Sequence, residues 1–583
     1  MLAGEYLPIG AYGLIGDGHS AALISKEASV DWACFPRFDS PSVFARLLDS
    51  HAGGYFRICP RGPFEIQQAY LPQTNVLRTT FTSERGVVSV TDWMPYWEGS
   101  PPHLLCRLVE GQEGQVETRL ILSPRFDYGR SLGHPVLSPG LGATILTRRD
   151  GLHLLTDLHL RVEDGDVQAS FPLRAGEKVR FVLRWVESPG TPLTAIDEAD
   201  FDTWLELTQR FWRRWASTCA YHGPYQDAVQ RSALVLKLLT YAPTGAPIAA
   251  PTASLPNVMG GEDNWDYRYT WLRDASLTVN SLLRLGYRKE VERFLEWLVR
   301  TTRSSGSDVQ NIYTVVGGED LTERELDHLE GYSHSRPVRI GNGAVGQPQW
   351  DIYGEVLESA YLLHLAGGII EPGLWSLLRE LANLAAARWS EPDRSFWEIR
   401  SGSRHFTFSK LMCWVALDRG INLARALALD FKNWERARGR IRASILEEAW
   451  NEEVGAFTMY YGSSSPDATL LAMPLVGFLP ARHPKMRATI EYIERELVEE
   501  GLVRLCQGGR TFGLLTFWFP CCLARQGRLE EAREAFERAL DCANHLGLFA
   551  ERLDPRSKEH LGNFPQAFTH LALIDAAVEL HRS

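Results

Sequence analysis

The sequence lacks the features of membrane, secreted and nucleic-acid-binding proteins. Its longest apolar stretch, residues 512–524, is too short to cross a bilayer and contains Pro520. The first basic residue is Lys26 and no apolar run follows Met1, so we expect no signal peptide. Acidic residues outnumber basic ones by 72 to 61, and the resulting net charge of −11 disfavours nucleic acid and anionic membranes as partners.

Cysteine is scarce and shows no metal-binding or disulfide spacing. The nine cysteines are scattered, with one adjacent pair, Cys521 and Cys522, and none of them forms a Cys-x-x-Cys motif. This pattern predicts neither a zinc site nor the disulfide framework of a small secreted domain. We therefore expect no bound metal and a reducing compartment, the cytoplasm.

Two further classes of motif are missing. The sequence contains neither a Gly-x-x-x-x-Gly-Lys-Ser/Thr phosphate-binding loop nor a His-Glu-x-x-His zinc motif, and no cofactor is expected. The composition is that of an ordinary globular protein, because 45% of the 583 residues are hydrophobic and 23% are charged. These fractions exclude a disordered or fibrous chain, and the length allows two or three domains.

The first two hundred residues have the short strands and turns of an antiparallel β-sandwich. Segments such as residues 179–186 alternate between apolar and polar side chains, as a half-buried strand does. Asp-Gly dipeptides at 150–151 and 164–165 supply the positive φ angles that a tight hairpin needs, and residues 83–86 predict another turn. The pattern predicts a β-sandwich domain over residues 1–193.

The hydrophobic period then changes to that of a helix. Apolar residues recur at spacings of three and four, which predicts a helical linker over residues 194–224 with Asp202 as a cap. The predicted apolar face consists of Trp204, Leu207, Phe211 and Trp215. Residues 225–583 alternate helical segments with connections rich in Gly, Pro and Asp, which predicts an α/α barrel or an irregular bundle. The clearest helices are 274–285, 374–389, 409–427, 434–450, 486–499, 529–543 and 565–580.

Polar and aromatic residues concentrate in four clusters between these helices. Unpaired polar groups are costly in a core, so such clusters indicate either a binding site or a satisfied internal network. A sugar suits the combination because its hydroxyls need donors and acceptors, while its C–H faces stack on aromatic rings. The clusters are residues 264–274, 336–342 with 349–355, 393–400, and 547–555 with 562–568.

Each cluster has a structural alternative to a functional site. Arg273 beside Asp274 could bind sugar hydroxyls, or such Arg–Asp neighbours could hold the loop to its helix as a buried pair. Asp351 could face a site, or it could cap the helix that enters at Ile352, with Glu355 one turn further on.

Two glutamates on separate loops, Glu398 and Glu551, are candidates for a catalytic pair. An inverting glycosidase needs one carboxyl as acid and one as base, ~6.5–9.5 Å apart so that a water molecule fits. The alternative for Glu398 is a surface ion pair with Arg400 or Arg404. Glu551 could equally be an ordinary loop carboxylate.

Six motifs occur in one order along the helical part. They are NWDYRYTWLRD at 264–274, ERELDHLEGY at 323–332, PVRIGN at 337–342, PQWDIYGE at 348–355, FWEIR at 396–400 and LGNFPQAF at 561–568. In this order they resemble glycoside hydrolase family 15, the glucoamylase and trehalase family. Residues 9–17 and 31–42 resemble its trehalase-like N-terminal domain. The resemblance covers nearly the whole chain and implies an N-terminal antiparallel β-sandwich followed by an (α/α)6 barrel.

The resemblance also implies roles for individual residues. Glu398 falls at the general acid of similar enzymes, and Glu551 falls at the general base. Arg273 and Asp274 match the pair that holds the hydroxyls of a terminal glucose. The other residues that the resemblance places around this sugar are Trp271, Tyr269, Trp397, Gln349, Asp351 and Arg339.

Two positions depart from the family pattern. Arg552 follows the proposed base where similar trehalases often carry a second acid, and its positive charge is expected to lower the pKa of Glu551. Residues 507–512 lack the glutamate expected before Thr511.

Residues and resemblance together predict an exo-acting, inverting α-glucosidase that takes a small carbohydrate, with trehalose favoured. Maltooligosaccharides are the alternative substrate, as for a glucoamylase. Two other classes stay open, a disaccharide phosphorylase and a non-catalytic sugar-binding protein. A phosphorylase would keep only one catalytic carboxylate, so the presence of Glu551 argues against it.

Overall fold

The computed structural model describes residues 6–100, 103–195, 197–305, 309–398, 402–431 and 433–583. An antiparallel β domain comes first and a helical domain follows, joined by one helix. The strands of the β domain are β1 Tyr12–Gly16, β2 Ala21–Ser25, β3 Ser29–Cys34, β4 Ser42–Ala45, β5 Tyr55–Pro60, β6 Glu65–Tyr70, β7 Leu77–Ser83, β8 Gly86–Trp93, β9 Leu104–Ser123, β10 Arg125–Phe126, β11 Ser131–Leu132, β12 His134–Ser138, β13 Gly142–Leu146, β14 Gly151–Leu155, β15 Arg161–Glu163, β16 Asp166–Arg174 and β17 Lys178–Val186.

The long strand β9 belongs to both layers of the sandwich. Its first half pairs with β8 and β17, and its second half pairs with β5 and β16, all antiparallel. The two layers therefore continue into each other as one fifteen-stranded sheet that runs β1-β2-β3-β5-β9-β17-β14-β13-β12 along its main path. Phe171 of β16 and Phe181 of β17 meet with ring centroids 6.2 Å apart, so the core lies between the layers.

Two of the three predicted turns are confirmed. Asp164 and Gly165 have φ angles of 54° and 83° and close the β15–β16 hairpin, and residues 83–86 close β7–β8. The tight turn predicted at residues 150–151 is wrong. The turn is formed by residues 147–150, because the Thr147 hydroxyl binds the Asp150 carboxylate at 2.8 Å, and β14 has already begun at the next residue.

The linker forms helix α1 (Glu198–Ala216), which begins earlier than the predicted cap. Asp197 caps it by accepting a hydrogen bond from the Ala199 N–H at 2.9 Å. The prediction of Asp202 as the cap is wrong, because this residue lies in the second turn and pairs with Arg180 of β17 at 2.9 Å.

The most buried face of α1 also differs from the predicted one. Its buried side chains include Phe201 and Trp212, whereas the residues of the predicted face are half-buried. The reason is that the helix packs against both domains at once. Phe201 meets Trp93 of the β domain at 4.9 Å, and the half-buried Trp215 stacks on Tyr287 of the helical domain at 4.0 Å.

The helical domain contains twelve further helices in the described residues. They are α2 Gln226–Leu238, α3 Leu272–Arg284, α4 Arg288–Ser305, α5 Asp351–Leu365, α6 Pro372–Arg388, α7 Thr407–Ala426, α8 Trp434–Glu448, α9 Ala472–Leu475, α10 Pro484–Leu497, α11 Gly513–Gln526, α12 Leu529–Leu540 and α13 Ala567–Arg582. All seven helices expected from the sequence are confirmed, each displaced by no more than three residues at either end.

Short strands and 3-10 turns occupy the connections of this domain. The strands are β18 Ala253–Pro256, β19 Asn264–Asp266, β20 Thr270–Trp271, β21 Ile312–Tyr313, β22 Arg324–Glu325, β23 Arg339–Ile340, β24 Trp450–Asn451, β25 Ala456–Phe457, β26 Val498–Glu499, β27 Leu502–Val503, β28 Arg552–Leu553 and β29 His560–Leu561. The 3-10 turns of the chain are Ile9–Ala11, Tyr332–His334 and Ala468–Leu471, and the last of these continues directly into α9.

The helices form a double ring, the (α/α)6 barrel. Helices α3, α5, α7, α9 with its 3-10 turn, α11 and α13 pack on one another in sequence, and α13 closes the ring against α3. The intervening helices pack outside this ring. Each outer helix leads the chain back along the barrel, so all inner helices begin at the same end of the barrel. Inner helices such as α11 are buried on nearly every side, whereas outer helices such as α12 expose a polar face.

The described residues contain no helix that is both long enough and apolar enough to cross a bilayer.

Candidate active site

A cavity of about 520 Å³ lies at the end of the barrel where the inner helices begin. The connections that precede α3, α5, α7, α11 and α13 supply its walls, and these connections contain the polar clusters of the sequence. Residues that line the cavity include Tyr267, Trp271, Arg273, Asp274, Arg339, Phe396, Trp397, Glu398, Phe512, Glu551 and Arg552.

Most residues expected around a sugar line this cavity, and three occupy other positions. Gln349 and Asp351 lie behind it, where they contact Glu398 and Arg273. Tyr269 is not among the lining residues, because its ring packs in a separate apolar cluster with neighbours that include Ala249, Ile312 and Leu321.

Glu398 lies in the connection between α6 and α7. Its Oε1 atom accepts hydrogen bonds from Trp271 Nε1 at 2.8 Å, Arg273 Nη2 at 3.2 Å and Gln349 Nε2 at 3.3 Å. The side chain is 25% exposed and has Arg273 as an ion-pair partner inside the cavity. Arg400, an alternative partner expected from the sequence, lies outside the described residues.

Arg273 connects the carboxylates at the base of the cavity. Its Nη1 donates to Gln349 Oε1 at 3.2 Å and to Asp351 Oδ2 at 3.1 Å. The guanidinium lies 4.6 Å from the centroid of the Phe396 ring, which supports it from one side. The buried positive charge is therefore balanced by carboxylates on different connections, and this balance fixes the floor of the cavity.

Asp351 orients Arg273 instead of capping its helix. Helix α5 begins at Asp351 itself, and no side chain caps its N-terminus, so the expected capping role is wrong. Glu355 lies one turn further on, as expected, and is buried. Burial and then the charge of Asp351 raise the pKa of Glu355 well above its usual range.

Asp274 presents a buried carboxyl to the cavity. Its Oδ2 atom lies 3.6 Å from Arg273 Nε, too far for a hydrogen bond, and both atoms lack a hydrogen-bond partner among the described residues. Burial raises the pKa of Asp274 to about 8, although the charge of Arg273 acts in the opposite direction. The carboxyl is therefore largely protonated near neutral pH and can both donate and accept a hydrogen bond.

Glu551 faces the same cavity from the connection before α13 and is almost fully buried. Its Oε1 accepts a hydrogen bond from the Tyr267 hydroxyl at 2.9 Å, and its Oε2 lies 3.8 Å from Arg552 Nε. Arg552 and Tyr267 lower the pKa of Glu551, but burial raises it by more. Arg552 therefore lowers the pKa of Glu551 as expected, but the net shift is upward because loss of hydration outweighs this neighbouring charge.

The run that carries Arg273 also contains a purely structural Arg–Asp pair. Arg268 binds both oxygens of Asp266, at 2.8 and 2.6 Å, and it also donates to the Ser40 carbonyl and the Tyr128 hydroxyl of the β domain. This pair is fully buried. The buried pair in this run is therefore Arg268 with Asp266, and it joins the run to the β domain, whereas Arg273 and Asp274 line the cavity.

Three residues that lie near Glu398 or Glu551 were not predicted from the sequence. Tyr267 stands four positions before Trp271, and Phe396 and Gly562 lie beside the glutamates within recognised motifs. Their motifs were visible, but nothing in the sequence shows which members of a motif face the cavity. Gly562 has a φ of 77°, and a Cβ at this position would lie 2.9 Å from Glu551 Oε2.

The cavity walls carry several buried polar atoms that have no hydrogen-bond partner among the described residues. They are Arg273 Nε, Asp274 Oδ2, Arg339 Nε, Glu551 Oε2 and Arg552 Nε. Orphaned donors and acceptors are rare in folded proteins and indicate a ligand that supplies both kinds of partner. A polyhydroxylated molecule does so. The same described residues contain no group of three or more His, Cys, Asp or Glu side chains arranged to hold a metal ion.

Comparison with known proteins agrees with this geometry. Residues 223–512 match the family described as glycosyl hydrolases family 15, and residues 1–137 match the domain described as trehalase-like, N-terminal. The trehalase of Mycolicibacterium smegmatis is 38% identical, across 100% of this chain and 92% of its own length. The trehalase of Thermoplasma volcanium is 36% identical, across 99% and 94% of the two chains.

A solved structure shows the same fold at much lower identity. A bacterial glucoamylase complexed with acarbose superimposes with a TM-score of 0.76 and 11% identity, across 99% of this chain and 94% of that one. The likeness extends over both domains and confirms the expected order of a β-sandwich and an (α/α)6 barrel.

Proposed function

We propose that this chain, which belongs to glycosyl hydrolases family 15 and is a glycoside hydrolase, releases glucose from trehalose as an exo-acting, inverting α-glucosidase. The observation that carries the proposal is the placement of Glu398 and Glu551 on different connections around one cavity. Relatives named trehalase that match both domains support trehalose as the substrate.

The base of the cavity binds the terminal glucose. Arg273 Nε and the Asp274 carboxyl are adjacent and unpartnered, so one donates to a sugar hydroxyl while the other donates or accepts. Trp271, Trp397 and Phe396 supply flat apolar surface for the C–H faces of the ring. A base that binds one terminal sugar in this way favours exo action.

Glu398 acts as the general acid. Three donors converge on its Oε1, which leaves Oε2 to carry the proton. The proton passes to the glycosidic oxygen as the bond to the anomeric carbon breaks. Because Gln349 and Asp351 both bind Arg273, they act behind the sugar by holding the groups that touch it.

Glu551 acts as the general base. Its ionised carboxylate takes a proton from a water molecule as that water attacks the anomeric carbon on the face opposite the leaving group. Oε1 is held by Tyr267, whereas Oε2 has no hydrogen-bond partner in the described part of the chain and is the atom that receives the water. Two carboxylates around one cavity support hydrolysis over phosphorolysis.

The reaction takes place in a reducing compartment, the cytoplasm. All nine cysteines carry free thiols, and six of them are buried in the two domains. Free thiols in these numbers are typical of proteins made and kept under reducing conditions.

The test is proton NMR of the first glucose released from trehalose. Inversion yields one α- and one β-glucose for each trehalose, whereas retention yields α-glucose alone. Equal amounts in the first minutes, before mutarotation, are the expected result. Only α-glucose would overturn the roles of Glu398 and Glu551. No turnover of trehalose, with β-glucose released from maltose in a parallel sample, would move the substrate to maltooligosaccharides.

A further inference from the structure

The loop that carries Glu398 has an unusual backbone conformation. Ser395 and Glu398 both have positive φ angles, 54° and 49°, a region that costs energy for any residue other than glycine. Such a conformation persists only where the surroundings hold it in place. The three donors on Oε1 of Glu398 hold the end of its side chain, so a further attachment is needed to hold the backbone of the loop.

One attachment of the loop lies immediately before Glu398. Trp397 Nε1 donates a hydrogen bond of 3.2 Å to Oδ2 of Asp467, a residue on the connection between α8 and α9. Asp467 is fully buried and does not line the cavity. The bond therefore connects the catalytic loop to a separate part of the inner ring.

Asp467 uses both of its oxygens. Oδ1 accepts from the Thr469 N–H at 2.8 Å and from the Thr469 hydroxyl at 2.7 Å, which caps the 3-10 turn before α9. Among the described residues, Trp397 is the one donor to Oδ2. A carboxyl group can accept on two sides, so this side chain joins the start of one inner helix to the residue beside Glu398.

We propose that Asp467 is a positioning residue for the general acid: through Trp397 it holds Glu398 in the strained conformation from which the proton reaches the leaving group. The proposal rests on the function proposed above. Asp467 touches neither sugar nor water in this scheme and acts only through the loop. Removal of the bond lets Glu398 relax away from the glycosidic oxygen while the sugar pocket formed by Arg273 and Asp274 stays in place.

The test compares substrates that differ in their need for a proton donor. Trehalose requires protonation of its leaving group, whereas α-glucosyl fluoride loses fluoride without it. In Asp467→Asn, an amide can accept on one side only, so either Trp397 or Thr469 loses its acceptor. We expect kcat/KM for trehalose to fall by about 10- to 100-fold and kcat/KM for the fluoride by less than about 3-fold.

Asp393→Asn is the matched control. Asp393 is also buried on this loop, and burial raises its pKa to about 7, as it does for Asp467. Its recorded donors, which include Ser395 N–H and the Ser409 hydroxyl, all bind Oδ2, and Oδ1 has no hydrogen-bond partner among the described residues. An amide can replace this carboxyl with its oxygen toward the donors, so both substrates should be hydrolysed as in the wild type.

A second variant keeps the test decisive if Asp467→Asn folds poorly. Trp397→Phe removes the indole N–H and leaves the bonds between Asp467 and Thr469 intact. Trp397 also lines the cavity, so the smaller ring should lower kcat/KM for both substrates to the same extent. Loss of the hydrogen bond should lower kcat/KM for trehalose by a further factor of about 10 to 100. The double variant should show no greater selective loss on trehalose than the larger of the two single effects. Equal losses on both substrates, or wild-type rates on trehalose, would overturn the proposal.

Different results would contradict the proposed function. Wild-type enzyme that hydrolyses neither trehalose nor α-glucosyl fluoride would contradict the function itself. Hydrolysis of both, together with a trehalose-selective loss in Glu398→Gln but not in Asp467→Asn, would contradict only the role of Asp467.

Discussion

The Tyr267 hydroxyl donates a 2.9 Å hydrogen bond to the Glu551 carboxylate. The ring of Tyr267 stands edge-on to Trp271, with centroids 5.6 Å apart, and the Trp271 indole N–H donates to Glu398. One short segment before α3 therefore holds both glutamates, although they belong to connections more than 150 residues apart in the sequence. The relative placement of the two glutamates depends on this segment.

Removal of the Tyr267 hydroxyl should shift the pH dependence of kcat/KM. Burial and the nearby Glu551 raise the pKa of Tyr267, so its hydroxyl stays protonated and lowers the pKa of Glu551. In Tyr267→Phe the pKa of Glu551 should rise further. The base must be ionised, so the acidic limb of kcat/KM against pH should move to higher pH.

Tyr269→Phe is the matched control for this measurement. It removes the same hydroxyl two residues away, from a ring that packs outside the cavity lining. An unchanged acidic limb in Tyr267→Phe, or an equal shift in Tyr269→Phe, would show that the hydrogen bond to Glu551 does not set the profile.

A side chain at Gly562 should displace the base. In Gly562→Ala the new Cβ would lie 2.9 Å from Glu551 Oε2 and 2.6 Å from Asn257 Oδ1. Because the Glu551 carboxylate must move, we expect kcat to fall by about 10-fold or more, measured on trehalose at saturating substrate.

Gly477→Ala is the control for the stability that alanine loses by adopting a positive φ angle. Gly477 has a φ of 78°, close to the 77° of Gly562, and a Cβ there would meet no atom within 4 Å. Both variants should lose about 1–2 kcal/mol of stability from the positive φ angle. Equal activity in the two variants would contradict the expected collision with Glu551.

The two glutamates should differ in their response to the leaving group. Glu398→Gln should lower kcat on trehalose by about 10²- to 10⁴-fold and leave much of the activity on α-glucosyl fluoride, which needs no proton donor. Glu551→Gln should lose activity on both substrates, because each reaction needs an activated water. Wild-type turnover of trehalose by Glu398→Gln would remove this residue from the mechanism.

Replacement of Asp274 should stabilise the fold while it weakens sugar binding. The pKa of Asp274 is about 8 in the folded protein, whereas an aspartate in an unfolded chain has a pKa near ~3.9. The folded state therefore binds this proton more tightly, and the stability contributed by Asp274 falls as pH rises from about 4 to about 8. In Asp274→Asn the melting temperature should exceed that of the wild type at pH 8 and match it at pH 4.

The same variant should raise KM for trehalose, because the amide fixes one atom as donor and the other as acceptor, whereas the carboxyl can carry its proton on either oxygen to suit the sugar hydroxyls. Thermal melts at the two pH values and steady-state kinetics measure the two effects separately. A melting temperature that changes by the same amount at pH 4 and pH 8 would show that titration of Asp274 is not the cause.

Helix positions and candidate glutamates could be predicted because they depend on local information. Alternation and helical spacing report which side chains are buried, and they located the β domain and seven helices. The turn at residues 147–150 and the start of α1 were misplaced, because in both cases a side chain, that of Thr147 or Asp197, supplied the deciding hydrogen bond.

Local patterns could not show which residues of one motif face the cavity. Tyr267 and Tyr269 are the same residue type two positions apart, yet only Tyr267 contacts Glu551. Arg268 and Arg273 each pair with a nearby aspartate, yet the first is structural and the second lines the cavity. The choice depends on what packs against each side chain from distant parts of the chain.

The sequence by itself determined the order of the two domains, the segments that carry polar chemistry and the family motifs, because these follow from local periodicity and residue identity. The tertiary structure decided which side chains face the cavity, that Gln349 and Asp351 lie behind it, and that Asp467 is bonded to the residue beside Glu398. It also decided the direction of the pKa shift of Glu551, since burial by the whole surrounding barrel outweighs the adjacent charge of Arg552.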